Sequence, residues 1–182
     1  RNLSRGLGDV YKRQIYRTTA YQFNNTEHAA NLFGLKEFGN IYSRLGNPTV
    51  GALEARLTAL EEGAMCVALS SGTSAVMYSL INIMSQGDNF VTANQLYGGT
   101  YTMFDNILPE YGINSKKVDI TDLEAVEAAI DEKTRAIYCE TITNPGLVVA
   151  DISALADIAH SKGIPLIVDA TFTTSALSLI HI

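Results

Sequence analysis

From Asn47 onward, short apolar runs alternate with single helix-like segments, and this rhythm constrains the fold more than any other feature of the sequence. The runs have the length and composition of buried strands, and they cover residues 65–69, 90–93, 113–118, 136–140 and 165–169. Strands separated by single helices predict a mainly parallel sheet with helices on both faces. The sequence therefore predicts an α/β fold.

Capping signals mark where the predicted helices begin. Asn47 can cap a helix that has Pro48 at its first position, and a stripe of four aliphatic residues follows, Val50, Leu53, Leu57 and Leu60. Residues 121–124 read as a capping box, and Asp151 can cap a helix that ends near Lys162. Two further helices are predicted over residues 71–85 and 100–110. The first forty-odd residues lack such stripes and predict an extended arm.

Charge and cysteine content narrow the class of protein. The net charge of -6 argues against a nucleic-acid binder, which needs a basic face. No apolar stretch approaches the roughly 20 residues of a membrane span. Cys66 and Cys139 lie inside apolar runs, so we expect two buried, reduced thiols. The three histidines are far apart, so we expect no metal site, and the absence of a secretory pattern predicts a cytoplasmic protein.

Polar residues follow the predicted strands, at the edge where an open parallel sheet binds ligands. Residues 70–74 open a helix whose free N–H groups suit a phosphate, and Tyr97 precedes two glycines and could stack on a planar ligand. Glu140 and Asn144 follow one strand, and Asp169 ends the last one. Taken one at a time, these signals also have simpler explanations. Residues 70–74 could simply cap a helix, Tyr97 could be a packed tyrosine, the segment with Asn144 could be a plain turn, and Asp169 could cap a helix or form an ion pair. Together they are what a pyridoxal phosphate ring requires, whereas the glycine motif of a dinucleotide site is absent.

At these residues the sequence resembles the Cys/Met-metabolism family of pyridoxal-phosphate enzymes, with the aspartate-aminotransferase-like large domain, over about residues 15–174. The stretch 42–49 is similar to the family's arm motif, which implies that Tyr42 and Arg44 reach the phosphate of a neighbouring subunit's cofactor. The resemblance implies that Ser71, Gly72 and Thr73 hold the phosphate of the cofactor in their own subunit.

The same resemblance assigns the contacts to the cofactor ring. It implies that Tyr97 stacks on the ring, that Glu140 and Asn144 lie near the ring hydroxyl, and that Asp169, followed by Thr171, partners the pyridine nitrogen. Tyr97 and Asp169 are therefore the expected catalytic residues.

Within the family, residues 25–35 and 38–42 look most like the O-acetylhomoserine sulfhydrylases. This implies a γ-replacement on O-acetylhomoserine by sulfide or a thiol, in methionine or homocysteine biosynthesis, by a homodimer or homotetramer. Gly99 stands where methionine γ-lyases often carry a cysteine. Methionine γ-lyase and cystathionine γ-synthase or lyase remain open as alternatives.

The resemblance fades towards both ends, which predicts four segments. Residues 1–14 are expected to be a foreign or disordered leader, 15–50 an arm that crosses to a partner subunit, 51–174 a partial cofactor-binding domain and 175–182 a foreign tail. The family's Ser-x-Thr-Lys segment, which carries the Schiff-base lysine, has no match, and none of the six lysines present resembles a replacement. We therefore expect a truncated domain that is inactive by itself, and a truncated fold with no catalysis is the alternative of another class.

Overall fold

A computed structural model describes residues 14–175. The predicted leader and tail therefore lie outside the described residues, apart from Gln14 and Ser175. The chain divides into two compact units, Arg1–Ala68 and Leu69–Ile182. No helix in the described part of the chain is long and apolar enough to cross a membrane.

Within residues 14–68, the first unit contains two helices, α1 (Thr26–Phe33) and α2 (Pro48–Leu60). The start of α2 is as predicted: the Asn47 side chain accepts a hydrogen bond from the Thr49 N–H at 2.9 Å. Helix α1 lies in the predicted arm and was not expected. The Asn25 side chain caps it by accepting from the His28 N–H at 2.8 Å, so an asparagine cap followed by an acidic residue was the available signal.

The arm folds back along its own unit. Ala20 forms an antiparallel bridge with Tyr42. The Tyr16 N–H donates to Thr49 Oγ1, and Asn47 Nδ2 donates to the Tyr16 carbonyl, both at 2.9 Å. The segment before α1 and the segment before α2 are therefore held together by main-chain and side-chain hydrogen bonds.

The predicted strand at residues 65–69 is wrong. The segment is irregular and open to solvent, with Met65 77% and Val67 65% exposed, and Cys66 is only half-buried. A strand needs a hydrogen-bonding neighbour, and none of residues 14–175 pairs with this run. The Ala68 N–H instead donates to the Glu54 carboxylate at 2.8 Å. An apolar run alone does not reveal whether a neighbouring strand exists.

The second unit is built on a parallel sheet, as predicted. Its strands are β1 (Asn89–Ala93), β2 (Asn114–Val118), β3 (Thr134–Glu140) and β4 (Leu166–Asp169), in the order β2-β1-β3-β4. All three neighbouring pairs are parallel. Every residue of β1 is buried, and so are all but one of β3, since these two strands occupy the centre of the sheet.

Helices cover both faces of this sheet. Helix α3 (Gly72–Ile81) precedes β1, α4 (Gly98–Thr102) follows it, α5 (Leu123–Ala129) precedes β3 and α6 (Ile152–Ser161) precedes β4. Across the sheet, the connection from β1 to β2 runs in one direction, and the connections from β2 to β3 and from β3 to β4 run in the opposite direction. Right-handed crossovers therefore put α4 on one face and α5 with α6 on the other. The contacts between α3 and α4, and between α5 and α6, agree with this assignment.

Three helix boundaries differ from the sequence prediction. The helix that was expected to reach residue 85 ends at Ile81. The helix predicted over residues 100–110 begins at Gly98, loosens into a π-helical turn (Met103–Ile107) and tightens into a 3-10 turn (Leu108–Tyr111), because Pro109 lacks an N–H. The cap of α5 is Asp122 and not Thr121, since Asp122 accepts from the Ala125 N–H at 3.0 Å.

A column of aromatic side chains fills the core beside the sheet. Phe104 packs edge-on against Phe90 with ring centroids 4.7 Å apart and against Tyr138 with centroids 5.1 Å apart. All three side chains are fully buried. Such edge-to-face pairs contribute stability beyond that of the buried apolar area. This column of rings fixes the position of Tyr138 in β3.

The packing around β1 can be tested at one buried hydroxyl group. Thr92 Oγ1 is buried in β1 and has no hydrogen-bond partner among the described residues. We predict that Thr92→Val, which keeps the shape and removes the unpaired hydroxyl, raises the free energy of unfolding by about 1 kcal/mol. Urea unfolding with an unchanged m-value measures this.

The matched control is a second buried threonine, whose hydroxyl group is paired. Thr134 Oγ1 donates to Asn89 Oδ1 at 2.7 Å, so Thr134→Val should lower the free energy of unfolding by about 1–3 kcal/mol. Equal destabilisation by both substitutions would show that the Thr92 hydroxyl is satisfied.

Candidate functional site

A cavity of about 270 Å³ opens in the second unit where β1, β3 and β4 end and α3 begins. Its size approaches the lower end of the range for small-molecule sites, about 300 Å³. Residues of α3, α4, β3 and β4 and of the loops that follow β1, β3 and β4 line it: Gly72, Thr73, Val76, Tyr97, Thr100, Glu140, Ile142, Asn144, Asp169, Thr171 and Phe172.

The first turn of α3 offers main-chain donors to this cavity. Ser71 caps the helix, with its Oγ accepting from the Ser74 N–H at 3.1 Å. The N–H groups of Gly72 and Thr73 have no acceptor inside the helix, because they belong to its first turn. A Cβ atom added at Gly72 would meet nothing within 4 Å, so the space beside this residue is open to an anion.

Tyr97 supplies an aromatic face at the end of the loop that follows β1. The residue is 53% exposed, and its ring lies over Gly99, where an added Cβ would be 2.7 Å from the Tyr97 Cε1 atom. Because Gly99 has no side chain, the Tyr97 ring can occupy this space. The Tyr97 N–H donates to Glu140 Oε1 at 2.7 Å, which fixes the main chain beneath the ring.

Glu140 ends β3 and is almost completely buried, with 5% of its surface exposed. Its second oxygen, Oε2, accepts from the Asn144 N–H at 3.0 Å. Burial raises the pKa of Glu140 above its usual value, the two N–H donors oppose this, and the negative charge of Asp169 raises it further. Both oxygens of this carboxylate are thus used by main-chain donors.

Asp169 ends β4 and pairs in register with Glu140 across the two strands. Its Oδ1 accepts from the Thr171 N–H at 2.9 Å and from the Thr171 hydroxyl, while Oδ2 accepts from the Tyr138 hydroxyl at 3.2 Å. Asp169 is only half-buried and lines the cavity. It can still receive a donor from a ligand, because a carboxylate has about four lone-pair sites.

Tyr138 is the residue of this site that sequence reasoning missed. Its phenol is buried, and the Thr100 hydroxyl is hydrogen-bonded to the same group. Burial raises the pKa of Tyr138 well above its usual value, and the charges of Asp169 and Glu140 raise it further, so the hydroxyl remains a donor to Asp169. The available signal was its position two residues before Glu140, which puts both side chains on one face of the sheet.

The structure brings most of the predicted site residues into one cavity. Gly72, Thr73, Tyr97, Glu140, Asn144, Asp169 and Thr171 all line it, whereas Ser71 does not and instead caps α3. Tyr42 and Arg44 belong to the first unit, where the Arg44 guanidinium lies 5.0 Å from the centre of the Tyr42 ring.

No lysine is among the described residues that line the cavity. Three lysines form ion pairs elsewhere, Lys116 with Asp131, Lys117 with Asp105 and Lys162 with Glu127.

Comparison with known proteins places the chain in a family. A model of the family described as "Cys/Met metabolism PLP-dependent enzyme" matches residues 6–179. A sulfhydrylase of Fusarium oxysporum, FUB7, is 51% identical over 157 residues, which are 86% of this chain and 36% of that protein. An O-acetyl-L-homoserine sulfhydrylase of Leptospira meyeri is 47% identical over 163 residues, which are 90% of this chain and 37% of that protein.

A solved structure extends the likeness to the fold. It is described as an O-acetylhomoserine (thiol)-lyase from Campylobacter jejuni and contains N′-pyridoxyl-lysine monophosphate. The TM-score is 0.85 at 44% sequence identity, over 90% of this chain and 40% of that one. The chain thus spans well under half the length of the relatives that it matches. With the family model matched over most of its length, the chain belongs to the Cys/Met-metabolism family of pyridoxal-phosphate-dependent enzymes.

Proposed function

We propose that the cavity of the second unit holds pyridoxal phosphate for an O-acetylhomoserine sulfhydrylase. The reaction would exchange the acetyloxy group on the γ-carbon of O-acetylhomoserine for sulfide or a thiol. The names of the relatives from Leptospira and Campylobacter support this substrate class. The observation that carries the proposal is the meeting of N–H donors, an aromatic face and a carboxylate in one cavity.

The residues present fit this cofactor at three points. The N–H groups of Gly72 and Thr73, beside open space, suit the phosphate. The exposed ring of Tyr97 suits the flat face of the pyridine. Asp169 is held by Thr171 and Tyr138 and suits a cationic ring nitrogen.

The bound cofactor would supply an electron sink that stabilises negative charge on the substrate's carbon skeleton. Asp169 would keep a proton on the pyridine nitrogen, because a nearby carboxylate favours the charged form of that group. Thr171 and Tyr138 would hold the carboxylate of Asp169 in place, and Tyr97 would keep water from one face of the ring. Asn144 would donate to the ring hydroxyl.

The first unit would contact the cofactor of a second subunit. Arg44 is exposed, and its guanidinium lies over the ring of Tyr42. The pair could therefore reach the phosphate of a neighbouring subunit's cofactor in a homodimer or homotetramer. Two free cysteines fit the reducing cytoplasm, which is the proposed compartment.

The role proposed for Asp169 can be tested on the 182-residue chain with pyridoxamine phosphate, a probe with no aldehyde to react with surface lysines. We predict that Asp169→Asn weakens binding by about tenfold or more, since it removes a charge-assisted hydrogen bond. The ¹⁵N chemical shift of the labelled pyridine nitrogen should report a protonated ring in the wild type and an unprotonated ring in the variant.

Two further variants sharpen this test. Tyr138→Phe should give a smaller loss of affinity, because it removes only one donor to Asp169. Asp157→Asn makes the same substitution on an exposed residue of α6 and should change nothing. A ring nitrogen that stays protonated in Asp169→Asn would contradict the assignment.

We also expect that no lysine of this chain bonds specifically to the cofactor. The described lining of the cavity contains none. Borohydride reduction in the presence of pyridoxal phosphate should therefore give only scattered, low-yield labelling, as measured by peptide mass spectrometry. Stoichiometric labelling of a single lysine would overturn this expectation.

A chimeric enzyme tests the reaction itself. Residues 15–174 would replace the matching segment of the Leptospira O-acetyl-L-homoserine sulfhydrylase, to which the chain is 47% identical. We predict that the chimera converts O-acetylhomoserine and sulfide into homocysteine and acetate in equal amounts. Formation of 2-oxobutanoate and ammonia by a chimera that binds the cofactor would favour a γ-lyase.

A further inference from the structure

Two loops of the cavity are hydrogen-bonded to one carboxylate. One loop follows β1 and carries Tyr97, and the other follows β3 and carries Asn144. Among the described residues, no main-chain hydrogen bond connects the two loops. Glu140 connects them, because Oε1 accepts from the Tyr97 N–H at 2.7 Å and Oε2 from the Asn144 N–H at 3.0 Å.

The fit between these loops is also close at a second point. A Cβ atom added to Gly146 would lie 1.6 Å from Gln95 Oε1. The side chain of Gln95 therefore packs directly against the main chain of Gly146. The absence of a side chain at Gly146 leaves the space that the Gln95 amide occupies, so the two loops also contact each other here.

Glu140 presents little surface to a ligand. Only 5% of the residue is exposed, although it contributes to the lining of the cavity, and each oxygen accepts from a main-chain N–H. The ionisable groups around it are Tyr138 and Cys139 on its own strand, Asp169 on β4 and Tyr97 on the loop after β1. None of these carries a positive charge, so the two N–H groups are the donors that stabilise its ionised form.

We propose that Glu140 is a positioning residue, which acts as a two-point acceptor and fixes the ring of Tyr97 and the side chain of Asn144 at the spacing that the cofactor ring needs. This role rests on the proposed cofactor site. It differs from direct contact of Glu140 with the ring hydroxyl, because the carboxylate acts through the main chain of two other residues.

The first measurement needs no cofactor. In ¹H–¹⁵N spectra of the 182-residue chain, the amide signals of Tyr97 and Asn144 should titrate together, with one midpoint that matches the ¹³C signal of the Glu140 carboxyl carbon. That midpoint should lie above the usual value for glutamate, because burial raises the pKa of Glu140. Separate midpoints, or no titration of either amide, would overturn the two-point acceptor.

The second measurement uses Glu140→Gln, in which an NH₂ group faces one of the two N–H donors. We predict that one or both amides lose protection from hydrogen exchange. The affinity for pyridoxamine phosphate should fall about tenfold, as for the loss of one charge-assisted hydrogen bond. The upfield ring-current shift of the bound pyridine proton should also shrink, because the Tyr97 ring is displaced.

The matched control is Glu132→Gln, an exposed position just before β3, which should leave all three readouts unchanged. Unchanged affinity and ring-current shift in Glu140→Gln would overturn the positioning role, even if the amides respond. If the wild-type chain does not bind pyridoxamine phosphate at all, the cofactor site proposed for this chain is contradicted, whereas the amide titration still decides whether Glu140 connects the two loops.

Discussion

Two carboxylates end neighbouring parallel strands as register partners, and the site is organised around this pair. Glu140 and Asp169 lie side by side at the carboxyl ends of β3 and β4, on the same face of the sheet. Burial disfavours the ionised form of Glu140, and the negative charge of Asp169 adds to the penalty. The chain must therefore supply donors to both groups, and it does so in two different ways.

Glu140 and Asp169 therefore have different roles in the site. Glu140 is almost completely buried and accepts from main-chain N–H groups of two loops, so it organises the protein around the cavity. Asp169 is anchored by Thr171 and Tyr138, but it is only half-buried where it lines the cavity and can be reached by a ligand. A cationic ring nitrogen would complete its set of donors and relieve the repulsion between the two acids. The same arrangement thus explains why one acid is structural and the other is suited to a cofactor.

Sequence reasoning located the ends of the strands well because it used two independent signals. The apolar runs at β1, β3 and β4 and the polar residues that follow them predicted where Tyr97, Glu140, Asn144 and Asp169 would meet. It failed where the decisive partner is remote in the sequence. The run at 65–69 is as apolar as a strand but has no neighbour among the described residues. The role of Tyr138 depends on the register between β3 and β4, which no local pattern contains.

The central claim is that this chain holds the donors for pyridoxal phosphate in place before the cofactor binds. A crystal structure of the chain with pyridoxamine phosphate tests it most directly. We expect a phosphate at the N–H groups of Gly72 and Thr73, the ring against Tyr97 and the pyridine nitrogen within hydrogen-bond distance of Asp169. We also expect that Glu140 keeps its bonds to Tyr97 and Asn144. A ring bound with its nitrogen away from Asp169, or a site that forms only after Glu140 has moved to contact the ring, would contradict the account.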